Sequence, residues 1–116
     1  MDKIIDETMG NILREITGLL SDLYGSSLKA VILYGSVARG TQTEDSDVDL
    51  LVLVDGTDQK LREYSDRLSD VSTDMALKYL KVFSIMDVRY QEYMDWKSVS
   101  PFYKNVDREG IVLYAA

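Results

Sequence analysis

Two apolar runs, Val31-Ile32-Leu33 and Val48 to Val54, flank a polar segment that opens on Tyr34-Gly35-Ser36 and closes on Ser46-Asp47-Val48-Asp49. Each run has strand length and is rich in β-branched residues, which predicts strands over Leu28–Tyr34 and Val48–Val54. Along the first strand Val31 and Leu33 share one face, and Ala30 and Ile32 the other. Both faces are apolar, so the strand is expected to be covered on both sides. Ser36 to Gly40 reads as a short helical turn leaving the first strand, and Thr41 to Ser46 as a loop. A chain arranged in this way is expected to be α/β.

The ends of the two strands carry the chemistry. Asp47 and Asp49 are one residue apart and so share a face. Neighbouring carboxylates repel each other unless a cation or a proton lies between them. Mg²⁺ takes oxygen ligands of this kind and keeps positions for water and phosphate. An ordinary strand end would also hold aspartates, but Asp49 lies within an apolar run, where a bare carboxylate is costly. Gly35 permits a tight turn and a close backbone approach to a ligand. Backbone N–H groups beyond it, with the Ser36 hydroxyl, are suited to cradle a phosphate. Arg39, one turn later, can add a charge-assisted contact to the same phosphate. Ser46 either closes a turn or contributes to the metal and loop environment. A phosphate cradle facing a carboxylate pair is the apparatus of phosphoryl or nucleotidyl transfer.

Composition removes the competing chemistries. With 116 residues the chain is expected to form a single domain over residues 1–116, and 46% hydrophobic residues suffice for a core. There is no cysteine and no histidine. Thiolate and imidazole mechanisms and the usual zinc ligands are therefore excluded, leaving carboxylates, hydroxyls, Lys, Arg and a hard metal. The net charge of −7 opposes direct nucleic-acid binding and suits a basic protein partner. No apolar stretch is long enough to span a membrane, and Met1-Asp2-Lys3-Ile4 does not open a signal peptide, so a cytoplasmic location is expected.

Helical spacing of Ile4, Ile5, Met9, Ile12, Leu13, Ile16, Leu19, Leu20 and Leu23 predicts a helix over 3–23. A second apolar stripe, Leu61, Tyr64, Leu68, Val71 and Met75, predicts another over 57–80, with Ser69-Asp70-Val71-Ser72 as a place where it either breaks or continues. Residues 82–89 read as a third strand, 91–97 as a short helix, and Ser100-Pro101 as the start of a helix that Gly110 ends. Ile111 to Tyr114 would be a last strand.

Gly35-Ser36-Val37-Ala38-Arg39-Gly40, ten residues after Ser36, and then Asp47-Val48-Asp49-Leu50 resemble the signature of the polymerase-β-like nucleotidyltransferase superfamily, in its minimal nucleotidyltransferase branch. The resemblance implies a small, mixed, twisted sheet with helices mainly on one face. It implies a two-metal Mg²⁺ site on Asp47 and Asp49, with ATP phosphates held by Gly35, Ser36 and Arg39, and Ser46 as a further cofactor-binding residue at the loop and metal shell. The superfamily places a third carboxylate between apolar neighbours on a later strand. Asp87, between Met86 and Val88, matches that pattern as a metal-binding catalytic residue, and equally reads as a strand-end aspartate in solvent. The resemblance further implies an antitoxin that moves AMP to a tyrosine of a HEPN-type toxin, in a homo- or hetero-oligomer. Stoichiometric binding without catalysis, or transfer to a small molecule, are the alternatives.

Overall fold

The structure, a computed structural model, describes residues 6–43 and 46–116. Helix α1 spans Glu7–Tyr24 and is followed by a 3-10 turn, Gly25–Ser27, and strand β1, Leu28–Tyr34. Helix α2, Gly35–Arg39, leads through a loop to β2, Val48–Val54. Then come α3, Asp58–Tyr79; β3, Phe83–Arg89; α4, Tyr90–Trp96; α5, Pro101–Glu109; and β4, Ile111–Ala115. Ile4 and Ile5 of the expected first helix, and Glu44 and Asp45 of the expected loop, lie outside the described residues.

The strands form one four-stranded sheet in the order β3-β2-β1-β4. β1 is antiparallel to both β2 and β4, while β2 and β3 run parallel. A parallel pair needs a crossover, and α3 supplies it. The two strands that carry the candidate site are thus the central ones. Their alternation builds two cores. Val31, Leu33, Val48, Leu50, Val52 and Val54 face α1 and α3, whereas Ala30, Ile32, Leu51 and Leu53 face α4 and α5 through Tyr93 and Val106. The α1/α3 side, with the two long helices, is the larger, and the two short helices cover the other face.

Local signals set the helix ends. The Asp6 carboxylate accepts from the Met9 N–H at 2.8 Å and caps α1. Thr57 Oγ1 accepts from the Lys60 N–H at 3.1 Å at the start of α3. Ser100 accepts from the Tyr103 N–H, with Pro101 in the first turn of α5, where its missing N–H costs nothing. α3 runs without interruption through Ser69-Asp70-Val71-Ser72, because Leu68, Val71 and Met75 hold its stripe against the sheet.

Candidate active site

The end of β1 and the start of β2 lie side by side: Tyr34 pairs with Asp49 in the central antiparallel ladder. α2 departs from this point. Its first residue, Gly35, has φ 77°, in the left-handed region that side chains disfavour. A Cβ built on Gly35 would collide with the Asp49 carboxylate, with Asp49 Cγ at 3.2 Å. Glycine is therefore needed for two reasons, backbone conformation and close approach: the turn is laid directly on the carboxylate. Val37 and Ala38 are buried and pin α2 from below. The Gly40 N–H bonds back to the Ser36 and Val37 carbonyls and ends the helix. The Ser36 side chain is half-buried, and its hydroxyl has no hydrogen bond among the described residues.

The electrostatics tie these groups together. Burial, reinforced by the charge of Asp47, holds the Asp49 carboxyl above the ordinary carboxylate range, and the Arg39 guanidinium pulls it back. The Tyr34 phenol is raised by burial and then by the Asp49 charge. Asp47, Asp49, Arg39 and Tyr34 thus share one electrostatic neighbourhood. A hard divalent cation held by the two carboxylates would relieve both the repulsion and the desolvation of Asp49, and the all-oxygen donor pair suits Mg²⁺. No group of three or more acidic, histidine or cysteine side chains with metal-binding geometry occurs among the described residues. Ser46 closes a turn: its hydroxyl accepts from the Thr43 N–H at 2.8 Å and its own N–H bonds to the Thr43 carbonyl at 3.1 Å.

Asp87 does not join this group. The parallel register sets Ser84 opposite Asp49 and Asp87 opposite Val52. Three residues along a strand reverse the face, so Asp87 lies on the α1/α3 side, away from Asp49. There it accepts a hydrogen bond from the buried Tyr24 hydroxyl at 2.8 Å. Burial and this partner together raise the Tyr24 phenol. The expected result is that Asp87→Ala lowers stability by about 1–3 kcal/mol by orphaning that hydroxyl, while the transfer rate per folded molecule stays within about twofold of the parent. Chemical denaturation and a single-turnover assay measure the two quantities separately. On the Asp49 face the corresponding β3 position is Ser84, a residue with no carboxylate.

Sequence reasoning passed over Tyr34, Phe102, Asn105 and Glu109. With Gly35, Arg39 and Val106 they line a cavity of about 250 Å³ beside α2. The Phe102 ring stands edge-on to Tyr34, with centroids 5.3 Å apart. Tyr34 could have been found from its place directly before Gly35. The α5 residues carry no such signal, because only packing of Val106 on the smaller core brings them there.

Residues 13–105 match the nucleotidyltransferase domain family. The chain belongs to that family. Among curated proteins, it is 35% identical over 102 residues to MJ0604 of Methanocaldococcus jannaschii, which bears the name of a protein adenylyltransferase; the match covers 88% of this chain and 94% of that protein. A second protein of that organism with the same type of name, MJ1305, is 37% identical over 76 residues, 65% of this chain and 52% of its own length. Solved structures agree on the fold. A toxin–antitoxin complex with AMP-PNP superposes with a TM-score of 0.59 at 22% identity, over 90% of this chain and 73% of that one. A nucleotidyltransferase-type structure from Sulfolobus solfataricus superposes with a TM-score of 0.54 at 17% identity, over 99% and 90%. In this chain the glycine turn follows β1 directly, Asp49 lies on β2, and Asp47 stands one residue before that strand. No helix among the described residues is long and apolar enough to cross a membrane.

Proposed function

We propose that this nucleotidyltransferase is a Mg²⁺-dependent protein adenylyltransferase that moves AMP from ATP to a hydroxyl of a partner protein. The partner in this reading is a HEPN-type toxin, the acceptor a tyrosine, and the chain its antitoxin. One observation carries the catalytic part: the Gly35 turn lies against the Asp49 carboxylate, with Asp47 and Arg39 in the same field. A triphosphate placed there meets backbone N–H groups, the Ser36 hydroxyl and the Arg39 guanidinium. Asp47 and Asp49 would hold Mg²⁺, which when bound supplies charge neutralisation at the phosphates. The acceptor oxygen bonds to the α-phosphorus. The bond from that phosphorus to the bridging oxygen of the β-phosphate breaks, pyrophosphate leaves with the electron pair, and the hydroxyl proton passes to water. The names of the relatives, and the toxin–antitoxin complexes among the structural neighbours, support the choice of a protein acceptor.

A second reading, silencing by stoichiometric binding alone, draws on Ser84, which puts no third carboxylate beside Asp49. Incubation with α-labelled ATP, Mg²⁺ and the protein encoded next to this one separates the two. The transferase reading expects a mass gain of AMP on the partner, lost in the Asp47→Ala/Asp49→Ala double variant while the complex still forms. If the double variant silences the partner as well as the parent does, the binding reading holds.

A further inference from the structure

The cavity of about 250 Å³ beside α2 is walled by two elements far apart in sequence. Gly35 and Arg39 stand on one side of it and α5 on the other. The α5 residues that line it, Phe102, Asn105, Val106 and Glu109, recur at spacings of three and four, so they share one helix face. Val106 is buried and anchors that face on the smaller core. The other three keep groups that folding does not use up. The Phe102 ring is held by Tyr34 and Tyr103, at centroid distances of 5.3 and 5.7 Å, and is still 37% exposed. Asn105 Oδ1 accepts from an Arg108 guanidinium nitrogen at 2.9 Å, and Glu109 Oε2 lies 3.4 Å from the same nitrogen. The Asn105 amide N–H groups and the second Glu109 oxygen have no hydrogen-bond partner among the described residues.

The cavity is also electrically two-ended. The Arg39 guanidinium, which has no ion pair among the described residues, lies on the α2 wall. The Glu109 carboxylate lies on the α5 wall. A phosphate chain is attracted by the first and repelled by the second. A ligand that suits both is anionic at one end, and at the other neutral, flat and able to donate a hydrogen bond. An aromatic ring beside an amide and a carboxylate matches the face and the edge of a nucleobase. The volume falls just under the range of about 300–1,000 Å³ for whole small-molecule pockets, which leaves room for one ring system.

We infer that this cavity is the base subsite of the nucleoside triphosphate, and that it selects an amino-substituted purine. Phe102 gives the base a stacking surface, Glu109 accepts from the exocyclic amino group, and Asn105 donates to the adjoining ring nitrogen. The inference rests on the transferase reading for the triphosphate itself, which Arg39 receives. Selectivity for the base belongs to α5. Asn105 and Glu109 are one helical turn apart, so they meet neighbouring groups on the edge of one base. A base without the amino group leaves the carboxylate desolvated and unpaired, which costs more than the absence of both partners.

The test is calorimetric titration of the full chain in Mg²⁺, without an acceptor protein, using ATP, the triphosphate of unsubstituted purine riboside, and inorganic tripolyphosphate. The parent should bind ATP about tenfold tighter than the purine analogue, and the analogue tighter than tripolyphosphate. In Glu109→Ala the two nucleotides should come within about twofold of each other. Glu109→Gln, whose side-chain carbonyl still accepts, should restore part of the preference. Phe102→Ala should weaken both nucleotides about tenfold. Tripolyphosphate affinity should stay unchanged in all three variants, a result that a merely structural role for α5 would not give. Equal binding of ATP and the analogue by the parent, a preference that survives Glu109→Ala, or loss of tripolyphosphate affinity in the variants would each overturn the inference. AMP transfer to the protein encoded next to this one is read in parallel. Base preference without transfer keeps the subsite and removes the transferase reading. Transfer without base preference does the reverse, and no binding of any of the three ligands removes both.

Discussion

Asp49→Asn is expected to abolish nucleotidyl transfer and, in the absence of divalent cations, to raise the melting temperature. The loss of rate should be at least about 10³-fold, since one anionic ligand of a phosphate-neutralising cation is worth several kcal/mol of transition-state charge stabilisation. The gain in stability follows from the site's electrostatics. Burial and the neighbouring Asp47 charge raise the Asp49 carboxyl above its ordinary value of 3.8. The folded chain therefore holds this proton at a pH where the unfolded chain has released it. Stability is greatest below the unfolded-state value and falls as pH rises through the raised folded-state value. Above that window the ionised carboxylate stays a liability that asparagine lacks. Melting curves in chelator from pH 3 to 8 should show variant and parent converging at the acid end. They should separate by up to a few degrees at neutral pH, with the variant higher. Adding Mg²⁺ should then stabilise the parent and leave the variant nearly unmoved. A variant that melts lower than the parent throughout would mean that Asp49 is a structural residue.

Gly35→Ala destabilises the fold and inactivates the site through one cause. An L-residue in the left-handed region costs about 1–2 kcal/mol, and here the new methyl also meets the Asp49 carboxylate. The melting temperature should fall by roughly 5–10 °C. Transfer by the folded fraction should drop about 10²-fold, the usual penalty for misplacing a reacting group by an ångström. The collision can be isolated from the backbone strain. In an Asp49→Ala background the methyl meets no carboxylate, so the stability cost of Gly35→Ala should shrink toward the backbone component alone. Equal costs in both backgrounds would show that the turn and the carboxylate are not in contact.

Much of this site could be read from local pattern. Strand bounds over Leu28–Tyr34 and Val48–Val54 follow from two short apolar runs with polar limits, and the structure has the same bounds. Gly35, Asp47, Asp49 and Arg39 fall together because they lie at adjoining ends of one antiparallel pair, within a short span of chain. Asp87 shows where that reasoning stops. Its flanks, Met86 and Val88, fit an acid between apolar neighbours, but its face depends on the register between β3 and β2. That register is set across the whole of α3, by packing and by Val82 bonding to Val48. A shift of one residue would have reversed the outcome. Phe102 and Asn105 were hidden for the same reason: they reach Tyr34 only after α5 has packed on the second core.

The two inner strands also divide the molecule by how readily its parts open. β1 and β2 are paired on both edges and covered on both faces, so their amides should exchange with solvent only through global unfolding. β3 and β4 each lack a neighbour on one side, and their outer amides can exchange by local fraying. Asp49 therefore sits on one of the slowest-exchanging strands, and the free sheet edges exchange faster than it does. A macromolecule that grips an edge can bend or extend the sheet there at little cost, yet it has no inexpensive way to move Asp49. Control of such a centre has to act on who reaches it, not on how it is built.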